Sequence, residues 1–93
     1  MTKYKLKLSG RFKKSYKRCI KRGFDASLFE DVVSILSDGK ELPPQYKNHP
    51  LHGDYEGWMD CHIKPDWILL WRYNDDELIL CLLATGTHSD LFG

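Results

Sequence analysis

The chain has 93 residues, of which 42% are hydrophobic and 29% charged, and a formal net charge of +1. This composition is typical of one globular domain and excludes a disordered or membrane-embedded chain. A chain of this length builds a single hydrophobic core, so we expect one domain over residues 1–93, with any active site in a shallow surface cleft.

Several features favour the cytoplasm. The longest apolar run, residues 78–84, is far shorter than the roughly 20 residues of a membrane span, and no apolar stretch of a secretory signal follows the charged amino terminus. Cys19, Cys61 and Cys81 are odd in number and lie in apolar patterns, which favours buried thiols of a reducing compartment over a disulfide framework. We therefore expect a cytoplasmic protein without membrane contact.

Positive charge is concentrated at the amino terminus. Residues 1–24 contain ten Lys or Arg and no acidic residue, whereas residues 25–93 contain four basic and thirteen acidic residues, so +10 is set against −9. A solvated basic helix is one interpretation. The complete lack of compensating acids favours the other, a face that binds a polyanion or an acidic protein segment.

The first elements predicted along the chain are a strand and a helix. Alternating apolar and basic residues at positions 4–8 predict a half-buried strand. A helix is predicted from a cap at Ser9 to a stop at Gly23. Its narrow apolar stripe consists of Phe12, Tyr16, Cys19 and Ile20.

A second helix is predicted to follow a tight turn and to pack as an antiparallel hairpin. Ser27 and Glu30 have capping-box spacing at its start, an apolar face extends from Leu28 to Leu36, and Gly39 ends it. Residues 41–56, which include three prolines, have neither helical nor strand periodicity. They predict a long loop, and loops of this length in compact domains are usually functional or disordered.

The rest of the chain predicts three antiparallel strands. Residues 58–63 alternate, so that Asp60 and His62 share a polar face. Residues 67–71 are apolar on both faces and residues 78–83 nearly so, as in central strands, with turns at 65–66 and 74–76. The predicted fold is therefore α+β: one strand and a two-helix hairpin, followed by a three-stranded antiparallel meander.

The four histidines, His49, His52, His62 and His88, allow three interpretations. A metal site is disfavoured, because His49 and His52 form one pair but no second Cys or His pair and no carboxylate cluster joins them. Ordinary surface or capping roles are the simplest interpretation, above all for His52. Catalysis stays open for the other three, which adjoin turns or strand ends where side chains converge.

Histidine suits metal-free cleavage of RNA. The reaction needs a base to deprotonate the ribose 2′-hydroxyl, an acid to protonate the departing 5′-oxygen, and positive groups around the phosphate. Histidine titrates near neutrality and can fill each role. Asp66 could orient a histidine or act as a base, although by spacing alone it is a simple Pro-Asp turn residue.

Three segments resemble a known family. They are residues 46–53 (Tyr-Lys-Asn-His-Pro-Leu-His-Gly), 57–69 (Gly-Trp-Met-Asp-Cys-His-Ile-Lys-Pro-Asp-Trp-Ile-Leu) and 85–93 (Thr-Gly-Thr-His-Ser-Asp-Leu-Phe-Gly). In residue type and order they resemble the YafQ-type mRNA interferase toxins of the RelE/ParE-like type II toxin–antitoxin superfamily. The amino-terminal helices match that family in length and pattern more than in sequence.

The resemblance implies a RelE-like microbial ribonuclease fold, ribosome-dependent cleavage of messenger RNA in the decoding site without a cofactor or metal, and silencing by a ribbon-helix-helix antitoxin. We expect the free toxin to be monomeric. The family's working residues fall here on His49, His62, Asp66, His88 and Phe92.

The resemblance also suggests a role for each of these residues. We assign His88 as general acid, His62 to the phosphate and Phe92 to stacking on a base, and leave the general base open between His49 and Asp66. Without the family pattern, Phe92 would as readily be a terminal core aromatic. His52 occupies a position that varies in the family, so its role stays open.

Two other functions compete with this interpretation. A toxin-like module of the same fold could bind a protein target without cleaving RNA, as the similar ParE-type toxins do on gyrase. A small basic RNA-binding protein is the third interpretation, but the chain lacks any recognised RNA-binding motif. The histidine and aspartate set favours the enzyme, because a pure binder has no need of it.

Overall fold

The computed structural model describes residues 2–93, and Met1, the first residue of the predicted domain and of the basic stretch, lies outside them. Across residues 2–93 none of the helices is both long and apolar enough to cross a membrane. The elements in chain order are β1 (Lys5–Leu8), α1 (Gly10–Lys21), α2 (Ala26–Ser37), β2 (His49–Pro50), β3 (Met59–Lys64), β4 (Trp67–Asn74), β5 (Ile79–Gly86) and α3 (His88–Phe92).

Both long helices begin at a side-chain cap. Ser9 Oγ accepts a hydrogen bond from Phe12 N at 2.9 Å at the start of α1, as predicted. The capping box predicted for α2 at Ser27 is wrong, because the cap is Asp25, whose Oδ1 accepts hydrogen bonds from the Ser27 backbone N and Oγ at 2.9 and 2.7 Å. A carboxylate at this position also interacts favourably with the helix dipole, which a serine hydroxyl does not.

The buried face of α1 is narrower than predicted. Its buried residues are Phe12, Ser15 and Cys19, which lie on successive turns. Ile20, predicted to join them, is 38% exposed because it lies beside the line that these residues define. In α2 the ring of Phe29 packs against Phe12 with a centroid distance of 5.7 Å, which joins the two helices over one core.

The strands form one sheet in the order β1-β5-β4-β3-β2 in the described chain. The β3-β4-β5 meander is antiparallel as predicted, and β1 pairs in parallel with β5. The predicted α+β fold class is therefore confirmed, whereas the partner of β1 is a new finding. A parallel neighbour needs a long connection, and the helical hairpin begins that connection.

The sheet has a core on each face. The two long helices cover the larger core, and the apolar run 67–71 in β4 is buried throughout, with alternate residues on opposite faces. On the smaller core, Leu91 of α3 joins Ile68, Leu70 and Ala84. The carboxyl-terminal helix is thus anchored on the face opposite α1 and α2 by one buried side chain.

The predicted loop over residues 41–56 is held against the sheet. It contains two 3-10 turns, Pro44–Tyr46 and Gly53–Tyr55, on either side of β2. Trp71 Nε1 donates a hydrogen bond to Asn48 Oδ1 at 3.1 Å next to β2. The loop therefore brings His49 to the edge of the sheet.

Candidate active site

Strand register gathers the predicted site residues at one place on the smaller face. His49 on β2 pairs with Asp60 on β3. His62, two residues further along β3, lies on the same face of the sheet as Asp60. It pairs with Ile68 of β4, which in turn pairs with Gly86 of β5. The chain turns into α3 just after Gly86, so His88 returns beside His62.

Asp60 lies beneath two of these histidines. Its Oδ1 is 2.8 Å from His49 Nε2 and 3.9 Å from His62 Nε2. Asp60 was not predicted as a site residue, although its alternation with His62 placed it on the polar face. The cluster therefore consists of the buried carboxylate of Asp60 and the imidazoles of His49 and His62, which lie above it.

The environment of Asp60 is costly for a carboxylate. The residue is 4% exposed. Burial raises the pKa of its carboxyl, while the charges of His49, His62 and His88 act in the opposite direction. No donor in the described chain is aligned for a hydrogen bond to Oδ1, and the 2.8 Å contact with His49 becomes an ion pair only when that imidazole is protonated. Buried polar atoms without an aligned partner are rare and are typical of functional sites.

A second aspartate holds His88. Asp66, in the turn between β3 and β4, accepts a hydrogen bond from His88 N at 3.0 Å and lies 2.8 Å from His88 Nδ1. An ionised carboxylate can only accept hydrogen bonds, so Nδ1 of His88 is the donor and Nε2 is free to meet a ligand in the cleft. The backbone and ring hydrogen bonds from His88 hold the pKa of Asp66 below its usual value. Asp66 is therefore a poor proton acceptor.

The three histidines form a row across the cleft. The ring of His62 lies 6.4 Å from that of His49 and 5.5 Å from that of His88. The side chains of His49 and His88 are 52% and 56% exposed, whereas that of His62 is 18% exposed. The two outer rings can therefore exchange protons with a ligand whose centre lies over His62.

Aromatic residues border the row at His88. The ring of Phe92 is 44% exposed, lies 6.4 Å from that of His88, and meets Tyr55 edge-on at 5.7 Å. Tyr55 accepts a hydrogen bond from Arg11 Nη2 at 2.8 Å and donates one to Leu91 O at 3.3 Å. Sequence reasoning missed Tyr55, because no periodicity marks a residue in this loop.

The structure thus brings all five predicted site residues into one cluster: His49, His62, Asp66, His88 and Phe92. His52 stays outside it. That residue is exposed and makes no capping hydrogen bond at the 3-10 turn that it precedes.

The same cluster contains potential metal ligands. One ligating atom from each of His49, Asp60 and His62 lies within 4.8 Å of the other two. Two imidazoles and a carboxylate with an open position are a common set for divalent transition metals. From sequence, a metal is disfavoured because no second Cys or His pair and no carboxylate cluster joins His49 and His52. The β2-β3 register nevertheless assembles three potential ligands that are distant in sequence.

The family model described as a bacterial toxin of type II toxin–antitoxin systems, YafQ, matches residues 4–93. The mRNA interferase toxin YafQ of Escherichia coli (strain K12) is 37% identical over 89 residues, which are 95% of each chain. YafQ in the E. coli DinJ-YafQ toxin–antitoxin complex superimposes with a TM-score of 0.88 and 36% identity, over 98% of this chain and 99% of that one. A metal-bound toxin from Helicobacter pylori gives 0.89 and 38%, over 99% and 100%.

Proposed function

The chain belongs to the YafQ family of toxins from bacterial type II toxin–antitoxin systems, and we propose that it is an endoribonuclease, folded as one domain, that cleaves ribosome-bound messenger RNA by metal-free acid–base catalysis. The observation that carries this proposal is the row of three histidines in an open cleft, with one aspartate beneath it and another at its end. The E. coli relative is named an mRNA interferase toxin.

The proposed reaction begins at His49. Its Nε2 faces Asp60, so the proton of a ribose 2′-hydroxyl goes to Nδ1, which leaves the carbonyl oxygen of Pro50, 3.2 Å away, as the substrate binds. The 2′-oxygen then attacks the adjacent phosphorus. The resulting imidazolium lies 2.8 Å from the buried Asp60 carboxylate, whose negative charge stabilises it. The choice of His49 over Asp66 as base follows from the hydrogen bonds that Asp66 already accepts from His88.

His88 completes the reaction as general acid. Its Nε2 donates a proton to the 5′-oxygen as the bond from phosphorus to that oxygen breaks, which leaves a 2′,3′-cyclic phosphate and a free 5′-hydroxyl. Asp66 fixes the ring of His88 through Nδ1. His62, between the two outer rings, meets the phosphate, and the exposed ring of Phe92 offers a surface on which a neighbouring base stacks.

The ribosome is proposed to supply the geometry that this small cleft lacks. In-line attack needs the nucleotide held in a near-attack conformation, which accounts for much of the rate. We expect the purified toxin to cut a message on programmed ribosomes and to leave the same message uncut when it is free in solution. Equal single-turnover rates on the two substrates would reject this part of the proposal.

The proposed partner is a ribbon-helix-helix antitoxin encoded beside the toxin gene. A relative of this chain is found in a toxin–antitoxin complex with DinJ. Here the lysines of α1 offer an exposed basic face to acidic side chains. The toxin itself is proposed to be monomeric when free and to act in the cytoplasm, where ribosomes translate.

Protein-target binding without cleavage predicts a different outcome. In that case the variant His49→Ala would keep its toxicity in growing cells, since a binder does not use the imidazole as a base. We expect the variant to lose both toxicity and cleavage. Toxicity that survives without any cut message would favour the binding module.

Metal binding is a second property that the cluster supports. The three ligating atoms of His49, Asp60 and His62 lie close together, and an H. pylori relative is described as metal-bound. Because the same atoms are assigned to proton transfer and phosphate binding, an ion there is expected to inhibit cleavage. Titration with Zn²⁺ or Cu²⁺ should lower the rate, whereas a rate that rises with the ion would overturn the metal-free mechanism.

A further inference from the structure

We propose that Asp90, which forms ion pairs with Arg18 and Arg22, is a positioning residue that fixes α3 and thereby orients His88 and Phe92 in the cleft. The inference deepens the proposed ribonuclease function and rests on it for the roles of His88 and Phe92. Asp90 touches none of the proposed reacting groups, so it acts through the helix that carries them.

The helix α3 needs such support. It has five residues, His88–Phe92. Isolated helices of this length are unstable in water, so other contacts must hold it. Leu91 is the one buried residue of α3. Leu91 holds the helix on the sheet and Asp66 holds His88 through its backbone N and Nδ1, but neither contact ties α3 to α1.

Asp90 supplies the missing constraints. Arg22 donates from Nη1 to Asp90 Oδ2 at 2.6 Å and from Nη2 to Oδ1 at 3.3 Å, and Arg18 Nη2 lies 3.7 Å from Oδ1. The same carboxylate accepts a hydrogen bond from Thr87 N at 3.0 Å, while Asp90 N donates to Thr87 Oγ1 at 3.2 Å in a capping box. One carboxylate therefore joins α1 to the first turn of α3.

The backbone is shaped to admit this carboxylate. A Cβ atom at Gly86 would lie 2.9 Å from both Asp90 Cβ and Oδ2, closer than real Cβ atoms approach. Any side chain at position 86 would thus displace Asp90. The hydrogen bonds from Arg22 also hold the pKa of Asp90 well below its usual range, so the carboxylate stays charged at neutral pH.

A second arginine contact reaches the same segment. Arg11 donates to the Tyr55 hydroxyl, which donates to Leu91 O, and the Tyr55 ring packs edge-on against Phe92. The arginines of α1 and its carboxyl end therefore all contact α3 or its support: Arg11, Arg18 and Arg22. A guanidinium fork fixes geometry as a lysine ammonium cannot, which suits a positioning role.

The rate and the stability respond to different parts of this contact. The side chains of Arg18 and Arg22 are 48% and 42% exposed, but that of Asp90 is 12% exposed, so loss of its charge should also lower the stability of the fold. A misplaced catalytic group can in addition lower a rate about 100-fold after a shift of 1 Å in a chain that is still folded. Rates are therefore compared at a temperature at which each variant is folded.

The test compares Asp90→Asn with the parental chain on saturating programmed ribosomes. At a temperature at which both chains are folded, we expect the single-turnover rate to fall about 10- to 100-fold, with the half-saturating ribosome concentration nearly unchanged and the melting temperature lowered. In NMR spectra of the free toxin, the amides of residues 88–92 should exchange faster and the ring signals of His88 should show averaging. Arg22→Gln should have the same effects, and Arg22→Lys weaker ones, because lysine keeps the charge but loses the fork.

Lys17→Gln is the matched control, since it removes one exposed cation from α1 without a contact to α3, and the NMR signals of residues 88–92 should stay in place. The proposal is overturned if Asp90→Asn keeps the parental rate and order, if its rate falls while those residues stay ordered, or if Lys17→Gln disorders them equally. Should Asp90→Asn fail to fold, the exposed Arg22 variants decide. A parental rate in His88→Ala would instead defeat the proposed function, and the NMR comparison would still report whether Asp90 orders α3.

Discussion

His88 is held at two points by Asp66, through its backbone N and through Nδ1, so the free ring nitrogen has a fixed direction. Replacement by alanine removes the proposed acid and little else, because the side chain is exposed. We expect His88→Ala to lower single-turnover cleavage on programmed ribosomes by about 10²–10⁴-fold, the usual contribution of one positioned proton donor. Ribosome binding and the melting temperature should change little.

His52→Ala is the matched control for this change. It removes an exposed histidine that lies outside the cluster, and its rate should stay near the parental value. If His88→Ala cleaves at the parental rate, or loses activity only with its fold, the terminal segment is structural and the acid lies elsewhere.

Replacement of Asp60 by asparagine should raise the stability of the fold and lower the cleavage rate. Burial raises the pKa of the Asp60 carboxyl, so at neutral pH, which lies above the usual value of an aspartate, ionisation favours the unfolded state, and neutral asparagine removes this cost. We expect Asp60→Asn to be more stable at pH 7, by about 1 kcal/mol, and to cleave more slowly by roughly tenfold or more, because the imidazolium of His49 loses its counter-charge. Denaturant unfolding and single-turnover rates measure the two effects. A variant that is less stable yet fully active would contradict both assignments.

The site could be predicted from sequence only in part. Strand alternation placed His62 on a polar face, and the resemblance to the YafQ-type toxins marked His49 and His88. The special character of Asp60 could not be predicted, because it depends on burial and on a partner from a distant strand. The choice between His49 and Asp66 as base likewise needed the hydrogen bonds to His88.

At the scale of elements, local signals predicted more than long-range ones. The meander β3-β4-β5 follows from alternation and turn residues, which act within a few positions. The parallel pairing of β1 with β5 joins the two ends of the chain and has no local signal. At the start of α2 two capping residues compete within three positions, and the acidic Asp25 prevails over Ser27.

Ser15 links α1 to the sheet by hydrogen bonds within the core. Its Oγ accepts a hydrogen bond from Thr85 N at 3.1 Å and donates one to Phe12 O at 3.0 Å. Ser15→Ala would leave the buried Thr85 amide without its acceptor, at a cost of about 1–3 kcal/mol. Since 1 kcal/mol shifts the melting temperature of a domain this size by roughly 4–8 °C, we expect a drop of several degrees.

Ser34→Ala provides the comparison for this change. Ser34 lies on the exposed side of α2, and the substitution there should alter stability by no more than about 0.5 kcal/mol. Equal melting temperatures for the two variants would mean that the Ser15 hydrogen bond does not stabilise the packing of α1 on β5.

At the scale of the whole molecule, charge and size define how the toxin meets its partners. The Cα radius of gyration is 12.4 Å, and the basic residues are concentrated in residues 1–24, whereas the rest of the sequence is mostly acidic. A molecule this small cannot enclose an RNA strand. Its basic face instead suits attachment to a larger polyanion or to acidic side chains of an antitoxin.

The proposed antitoxin complex should depend on salt. Exposed lysines such as Lys13 and Lys17 attract acidic side chains through charges that salt screens over about 8–10 Å. We expect the dissociation constant measured with the purified antitoxin to rise as salt concentration increases, mainly through slower association. An affinity that is independent of salt would assign the interface to apolar contacts instead.

We propose that His49, His62, Asp66 and His88 cleave messenger RNA without a metal ion of the toxin's own. The chemical ends that cleavage leaves on the message test this mechanism most directly. Toxin stripped of metal with a chelator and then freed of the chelator should cut messenger RNA on programmed ribosomes at the parental rate, with the magnesium of the ribosome buffer as the one divalent ion present. Attack by the 2′-oxygen predicts a 2′,3′-cyclic phosphate upstream and a 5′-hydroxyl downstream of the cut. A 3′-hydroxyl with a 5′-phosphate, or activity that returns only with added Zn²⁺ or Cu²⁺, would contradict it.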